Sequence, residues 1–175
     1  AFYLQQNFPQ DRIRVVPNGI SLPVASSTIA ETERVHAHVS HVLGRHGLVT
    51  KYYHGKLSLP ERTTAHNDFL SGKCHVMVAT IAFGMGINKP DVRFVIHADL
   101  PKNIEGYYQE TGRAGRDGLP GECLLMFSPG DRMKQMRFIE DKTDAKEREI
   151  AKAQLETMIH YAEVASCRRE FLLGY

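Results

Sequence analysis

The sequence lacks any Gly-x-x-x-x-Gly-Lys-Ser/Thr segment and any Asp-Glu-x-His run, so its 175 residues encode neither a phosphate cradle nor the carboxylates that hold magnesium beside it. ATP hydrolysis by this chain alone is thereby excluded. Apolar residues never gather into a run long enough for a membrane span. The opening Ala1-Phe2-Tyr3-Leu4-Gln5 has neither the basic, apolar, small order of a signal peptide nor an initiator methionine, and a piece of a longer protein is expected. Cysteine is scarce. Cys74, Cys123 and Cys167 are odd in number and widely spaced, which argues against a disulfide framework and for a reducing, intracellular setting, nuclear in a eukaryote and cytoplasmic or nucleoid-associated in a bacterium. Charge of one sign is also lacking: a net +2 does not mark a nucleic-acid binder, since such binding rests on clustered charge.

What is present is an alternation. Val/Ile-rich runs at residues 49–54, 75–80, 93–98 and 122–127 are separated by segments of helical period, the pattern of a parallel sheet flanked by helices. Thr28-Ile29-Ala30-Glu31 reads as a capping box opening a helix with Val35, Val39, Val42 and Leu43 on one stripe, ended by Gly44 and Gly47. Ser58-Leu59-Pro60-Glu61 repeats the device, with Gly72 as the stop, and Asn103 is placed to cap a third helix. After Pro129-Gly130 the segments 132–141 and 146–165 are strongly charged, with Ile150, Leu155, Met158 and Ile159 at helical spacing, and predict a helical hairpin. The resulting division is an irregular lead-in over 1–19, an α/β lobe over 20–130, and a helical appendage over 131–175.

The most informative stretch is Tyr107-Tyr108-Gln109-Glu110-Thr111-Gly112-Arg113-Ala114-Gly115-Arg116-Asp117-Gly118. It places two guanidinium groups at a helix end loosened by glycine. Arginine stays charged and offers a planar donor fork that matches phosphate oxygens, while glycine lets backbone approach a ligand. Taken alone, Gly-Arg-x-Gly-Arg is most simply a pair of surface arginines in a turn.

The surrounding residues shift that balance. Tyr108 to Gly118 is similar to the sixth helicase motif of the RecQ family of superfamily-two helicases, and Val78-Ala79-Thr80-Ile81-Ala82-Phe83-Gly84-Met85-Gly86-Ile87-Asn88-Lys89-Pro90-Asp91 resembles its fifth, in the correct order. The resemblance implies a RecA-like second motor lobe of a DNA helicase moving 3′ to 5′, with roles in repair and recombination. It implies Arg116 as the arginine finger, with Arg113 and Gln109 coupling nucleotide to DNA. Asn88 stands where the superfamily usually has an acidic residue against the nucleotide ribose, and an amide still donates and accepts.

Thr80, Gly84 and Gly86, in a loop after a strand's carboxyl end, are suited to bind a strand's phosphates without reading bases; the alternative is a glycine-rich turn shaped by packing alone, with Phe83 and Met85 as core plugs, and both hold where Phe83 packs while the glycines bind. Tyr52-Tyr53-His54-Gly55-Lys56-Leu57-Ser58 resembles the segment between the fourth and fifth motifs, where Lys56 either neutralises a phosphate or caps a solvated strand end with His54 satisfied locally. The fourth motif is expected in the strand leading into Thr28, placing Ser26, Ser27 or Thr28 at the DNA backbone, although Pro23 would remove a ladder donor from a central strand.

Cys167-Arg168-Arg169-Glu170-Phe171-Leu172-Leu173-Gly174-Tyr175 is similar to the opening of the RecQ zinc-binding segment, which implies Cys167 as the first ligand of a four-cysteine structural site whose other ligands lie outside the chain. Cys74 and Cys123 read as small core residues. The implied ligands are ATP and Mg²⁺, held mainly by a separate N-terminal RecA-like lobe, and Zn²⁺. The implied partners are that lobe and single-stranded or partly duplex DNA, with no membrane. Two rival readings share these residues: an RNA helicase lobe of the DEAD-box or DEAH-box type, and a degenerate helicase lobe kept as a nucleic-acid-binding scaffold.

Overall fold

The structure, a computed structural model, describes residues 2–5, 29–80, 83 and 87–175. In chain order the elements are β1 (Phe2–Gln5), α1 (Ile29–Gly44), β2 (Thr50–Tyr53), α2 (Leu59–Leu70), β3 (Val76–Ala79), β4 (Val92–His97), α3 (Ile104–Thr111), β5 (Glu122–Leu125), α4 (Pro129–Glu140), α5 (Ala145–Glu163) and α6 (Arg168–Gly174).

The sheet runs β2-β3-β1-β4-β5. β2 pairs in parallel with β3, and β4 with β5, so the four strands expected from the sequence share one direction. β1 departs from that pattern. It lies between β3 and β4 and is antiparallel to both, with Tyr3 opposite Met77 on one side and Val95 on the other. The irregular lead-in expected over 1–19 is therefore corrected for Phe2–Gln5. β3 and β4 are both buried, their facing backbone donors and acceptors need partners, and this short extended run supplies them. The predicted fourth-motif strand, with Pro23, Ser26, Ser27 and Thr28, lies outside the described residues.

Alternation along the strands sets the two faces. Met77 and Ala79 of β3 face Ala65 and Phe69 of α2 together with Phe83, Ile87, Val92 and Val95. Val78 points the opposite way, towards Val39 of α1, Tyr52 and Ile96. The capping box at Ser58 is formed as expected, Glu61 accepting from the Ser58 amide at 2.9 Å, and Gly72 takes φ +83° where the helix stops. Asn103 caps α3 by accepting from the Gly106 amide at 2.9 Å.

The appendage is continuous with the lobe. Leu100, Ile104 and Tyr107 share a core with Ile139 of α4 and with Leu155, Met158, Ile159 and Tyr161 of α5, against which Phe171 and Leu172 of α6 also pack. Lys134 reaches Asp99 at 2.9 Å and Gln135 donates to the Leu100 carbonyl at 2.8 Å, so α4 is also held to the turn after β4 by polar contacts. Cys74 is buried, and burial pushes its thiol up to about 11. Cys123 is exposed because β5 is the sheet's edge strand, which corrects its expected place in the core.

Candidate nucleotide-coupling and nucleic-acid interface

The last turn of α3 lies at the carboxyl end of β4, where the Glu110 carboxylate meets His97. Its continuation is tied to the other end of that strand: the Gly115 amide donates to the Val92 carbonyl at 2.9 Å, and the Asp117 amide to the Pro90 carbonyl at 3.2 Å. Gly115 has φ +67°, and a Cβ there would stand 2.7 Å from the Leu119 carbonyl oxygen, so only glycine fits. Arg93, itself buried, holds the same turn from below, meeting Asp117 at 2.5 Å and the Pro120 carbonyl at 2.8 Å. That hydrogen bond keeps the Asp117 carboxyl below its ordinary range.

The two arginines of the turn have different surroundings. Arg113 is half-buried and donates from Nη1 to the Ile87 carbonyl at 3.2 Å, while its buried Nε has no hydrogen-bond partner among the described residues. Arg116 is exposed, its Nε resting on the Gly112 carbonyl at 2.9 Å. Asn88 is exposed immediately after Ile87, and Gln109 is exposed on α3. The structure thus gathers Asn88 and Arg113 at one place, and leaves Arg116 with its charge open to solvent. Arg113, with a buried donor unpaired among the described residues, and the exposed guanidinium of Arg116 both offer donors suited to anionic oxygens, so the residues present fit a nucleotide's phosphate end.

Of the residues expected at nucleic acid, His54 and Lys56 follow the carboxyl end of β2 and Thr80 that of β3. The Thr80 amide donates to the Tyr53 carbonyl at 3.1 Å and its carbonyl accepts from Phe83, turning the chain out of the sheet. Phe83 plugs the core, packed on Tyr53 and Phe69, as the packing alternative expects of it. Gly84, Met85 and Gly86 lie outside the described residues. His54 is buried, stacked on Tyr52 and within 3.3 Å of Glu33 through Nε2, whereas Gly55 and Lys56 are exposed beside it. His54 therefore sits beneath this corner and Lys56 on it. Lys89 is a residue the motif did not single out. Buried, it meets Asp91 at 3.0 Å and donates to the Leu70 carbonyl at 3.3 Å, tying the end of α2 to the segment before β4.

Cys167 is exposed at the start of α6. Among the described residues no group of three or more His, Cys, Asp or Glu side chains is disposed to hold a metal ion, so the residues present fit one ligand of a zinc site and not a complete one. Among the described residues, no helix is long and apolar enough to cross a membrane.

The helicase conserved C-terminal domain family matches residues 18–118, and the RecQ zinc-binding family matches residues 129–175. The chain belongs to the helicase C-terminal domain family, as a RecQ-type lobe. It is 41% identical over 152 residues to the ATP-dependent DNA helicase RecQ of Bacillus subtilis, covering 87% of this chain and 25% of that protein. It is 44% identical over 137 residues to that of Haemophilus influenzae, covering 78% and 22%. A protein of Acanthamoeba polyphaga mimivirus, provisionally named an ATP-dependent RNA helicase, is 46% identical over 148 residues, covering 85% and 26%. The RecQ-type lobe therefore spans about a quarter of the length of these relatives. The DEAD-box helicase Mss116, solved with single-stranded RNA and UDP-BeF, superposes with a TM-score of 0.55 at 20% identity over 71% of this chain and 27% of that one, which is a likeness of fold.

Proposed function

We propose that the RecQ-type lobe is the second motor lobe of an ATP-dependent DNA helicase that moves 3′ to 5′, and that Arg116 is its arginine finger. The observation that carries this is the turn at Gly112–Gly118. It is pinned by Gly115, Arg93 and Asp117 to the start of β4, and it leaves Arg116 exposed while Arg113 is anchored at Ile87 beside Asn88. A finger must be free at its tip and fixed at its base, because it serves only when the facing lobe closes. ATP with Mg²⁺, bound on the facing lobe, supplies the free energy of closure and hydrolysis. Arg113 and Gln109 then link that event to the strand held over Thr80, Gly84, Gly86 and Lys56 by its backbone. Ser27 is a further contact to that strand's backbone in this reading, and Cys167 is the first zinc ligand of the full-length protein.

The test is ATP turnover by the full-length protein carrying Arg116→Ala, with single-stranded DNA and RNA compared as activators. Turnover is expected to fall about 10³-fold or more while ATP binding persists. Wild-type turnover in the variant overturns the finger assignment. Stronger activation by RNA than DNA would favour the RNA-helicase reading, which the mimivirus relative's name supports. Tight DNA binding without any turnover in the unaltered protein would favour a scaffold.

A further inference from the structure

We infer that His97, through Glu110, is a positioning residue that sets the height and rotation of the arginine-bearing turn; this rests on the reading of Arg116 and Arg113 as nucleotide-facing. His97 is the last residue of β4, and by alternation it faces the same side of the sheet as Val95, where α3 lies. Its side chain is only 3% exposed. Nε2 stands 2.6 Å from the Glu110 carboxylate, on the last turn of α3 and one helical turn before Arg113.

The imidazole has little freedom to move. Its ring lies 5.0 Å from that of Tyr107, which in turn lies 5.1 Å from Tyr161 of α5. A histidine is thus held between the strand that carries it and an aromatic column reaching into the appendage. It presents one nitrogen to the glutamate that precedes the arginines.

The protonation states agree with that geometry. Desolvation holds His97 below its ordinary value, and its buried Nδ1 has no partner among the described residues, so the neutral ring donates from Nε2 and leaves only a lone pair unmet. Burial raises Glu110, but the hydrogen bond from His97, with a smaller attraction from Arg113, outweighs it and keeps the carboxylate ionised. A neutral donor meeting a half-buried carboxylate forms a charge-assisted hydrogen bond, directional enough to fix a helix end.

The turn beyond α3 depends on that end. The Arg113 amide donates to the Glu110 carbonyl and the Ala114 amide to the Thr111 carbonyl, so any rotation at Glu110 passes directly into the turn. His97 is buried and the Glu110 carboxylate is taken up by it, so the pair acts through Arg113 and Arg116.

The experiment uses the full-length protein. His97→Leu is expected to lower kcat for ATP by about 10- to 100-fold with the ATP KM within about threefold, because a misplaced group costs rate more than ground-state binding. His97→Gln, whose amide nitrogen takes the place of Nε2, should recover most of that loss. Glu110→Gln combined with His97→Leu should be no worse than the worse single variant. Wild-type kcat in His97→Leu overturns the inference, as does His97→Gln no better than leucine, or additive losses. Thermal unfolding of each variant accompanies the rates: a loss of turnover matched by partial unfolding in Glu110→Gln as well as His97→Leu would show a structural role and also overturn it. Arg116→Ala run in parallel separates the two readings. If it abolishes turnover while His97→Leu does not, only the positioning inference fails; if Arg116→Ala is active, the finger assignment fails first.

Discussion

Arg113 donates from Nη1 to the Ile87 carbonyl at 3.2 Å, and that contact ties the arginine-bearing turn to the segment at Ile87. Arg116, three residues on, makes its one hydrogen bond among the described residues within its own turn. The two arginines should therefore separate in experiment. Arg113→Ala leaves a carbonyl without its donor and should cost about 1–3 kcal/mol of stability as well as turnover. Arg116→Ala should change stability by no more than about 0.5 kcal/mol while removing turnover. Urea midpoints measured beside ATPase rates check the contrast; equal stability loss in both variants would contradict it.

Gly115 and Gly118 both adopt positive φ, but they differ in what surrounds them. A Cβ at Gly118 meets open space, so Gly118→Ala should cost only the backbone contribution of about 1–2 kcal/mol. At Gly115 the Leu119 carbonyl blocks the same atom, so Gly115→Ala should cost clearly more and lower ATPase activity as the turn shifts. Denaturant unfolding of the two variants decides this, and similar midpoints would show that the turn relaxes freely.

Acid should destabilise the fold in two stages. His97 and His36 are both held below the ordinary histidine value, chiefly by burial. The unfolded chain then binds more protons below about pH 6.5, so this stability is complete above that pH and declines as pH falls towards the folded values. Glu110 and Asp117 are also lowered, by His97 and Arg93, so their contribution is complete above the ordinary carboxylate range of about 3.9–4.3 and is lost as pH falls below it. Melting temperatures between pH 8 and pH 3 should fall in both windows, and His97→Gln should flatten the upper one. A flat profile from pH 7 to 5 would refute the first stage.

Lys56 is exposed at the corner where His54 is buried. Lys56→Ala should weaken single-stranded DNA binding similarly for all sequences and reduce the salt dependence by about one released counterion. His54→Ala should act mainly on stability, since it empties a buried site stacked on Tyr52. Titrations at several salt concentrations, with unfolding curves, would show whether the roles are instead reversed.

Much of the architecture is legible in the sequence. The parallel strands, the helix caps at Ser58 and Asn103 and the helical hairpin all come from hydrophobic period and cap chemistry, which are local properties. Cys123 is misplaced by such reasoning because an apolar, strand-forming residue looks the same on an edge as in the middle of a sheet. His54 and Lys56 are adjacent candidates that the sequence does not rank, because burial separates them and burial depends on Glu33 of α1 and on Tyr52.

The order of the motifs and the residue types in the arginine turn were determined by the sequence alone: arginines for charge and planar donors, glycines for the close turn. Tertiary structure alone decided the rest. It inserted Phe2–Gln5 antiparallel into the middle of the sheet, because two buried strand edges needed partners that local pattern does not specify. It brought His97 to Glu110 and Arg93 to Asp117, across 13 and 24 residues of chain. Such pairings carry no periodic signal, since they exist only once strand and helix have packed side by side.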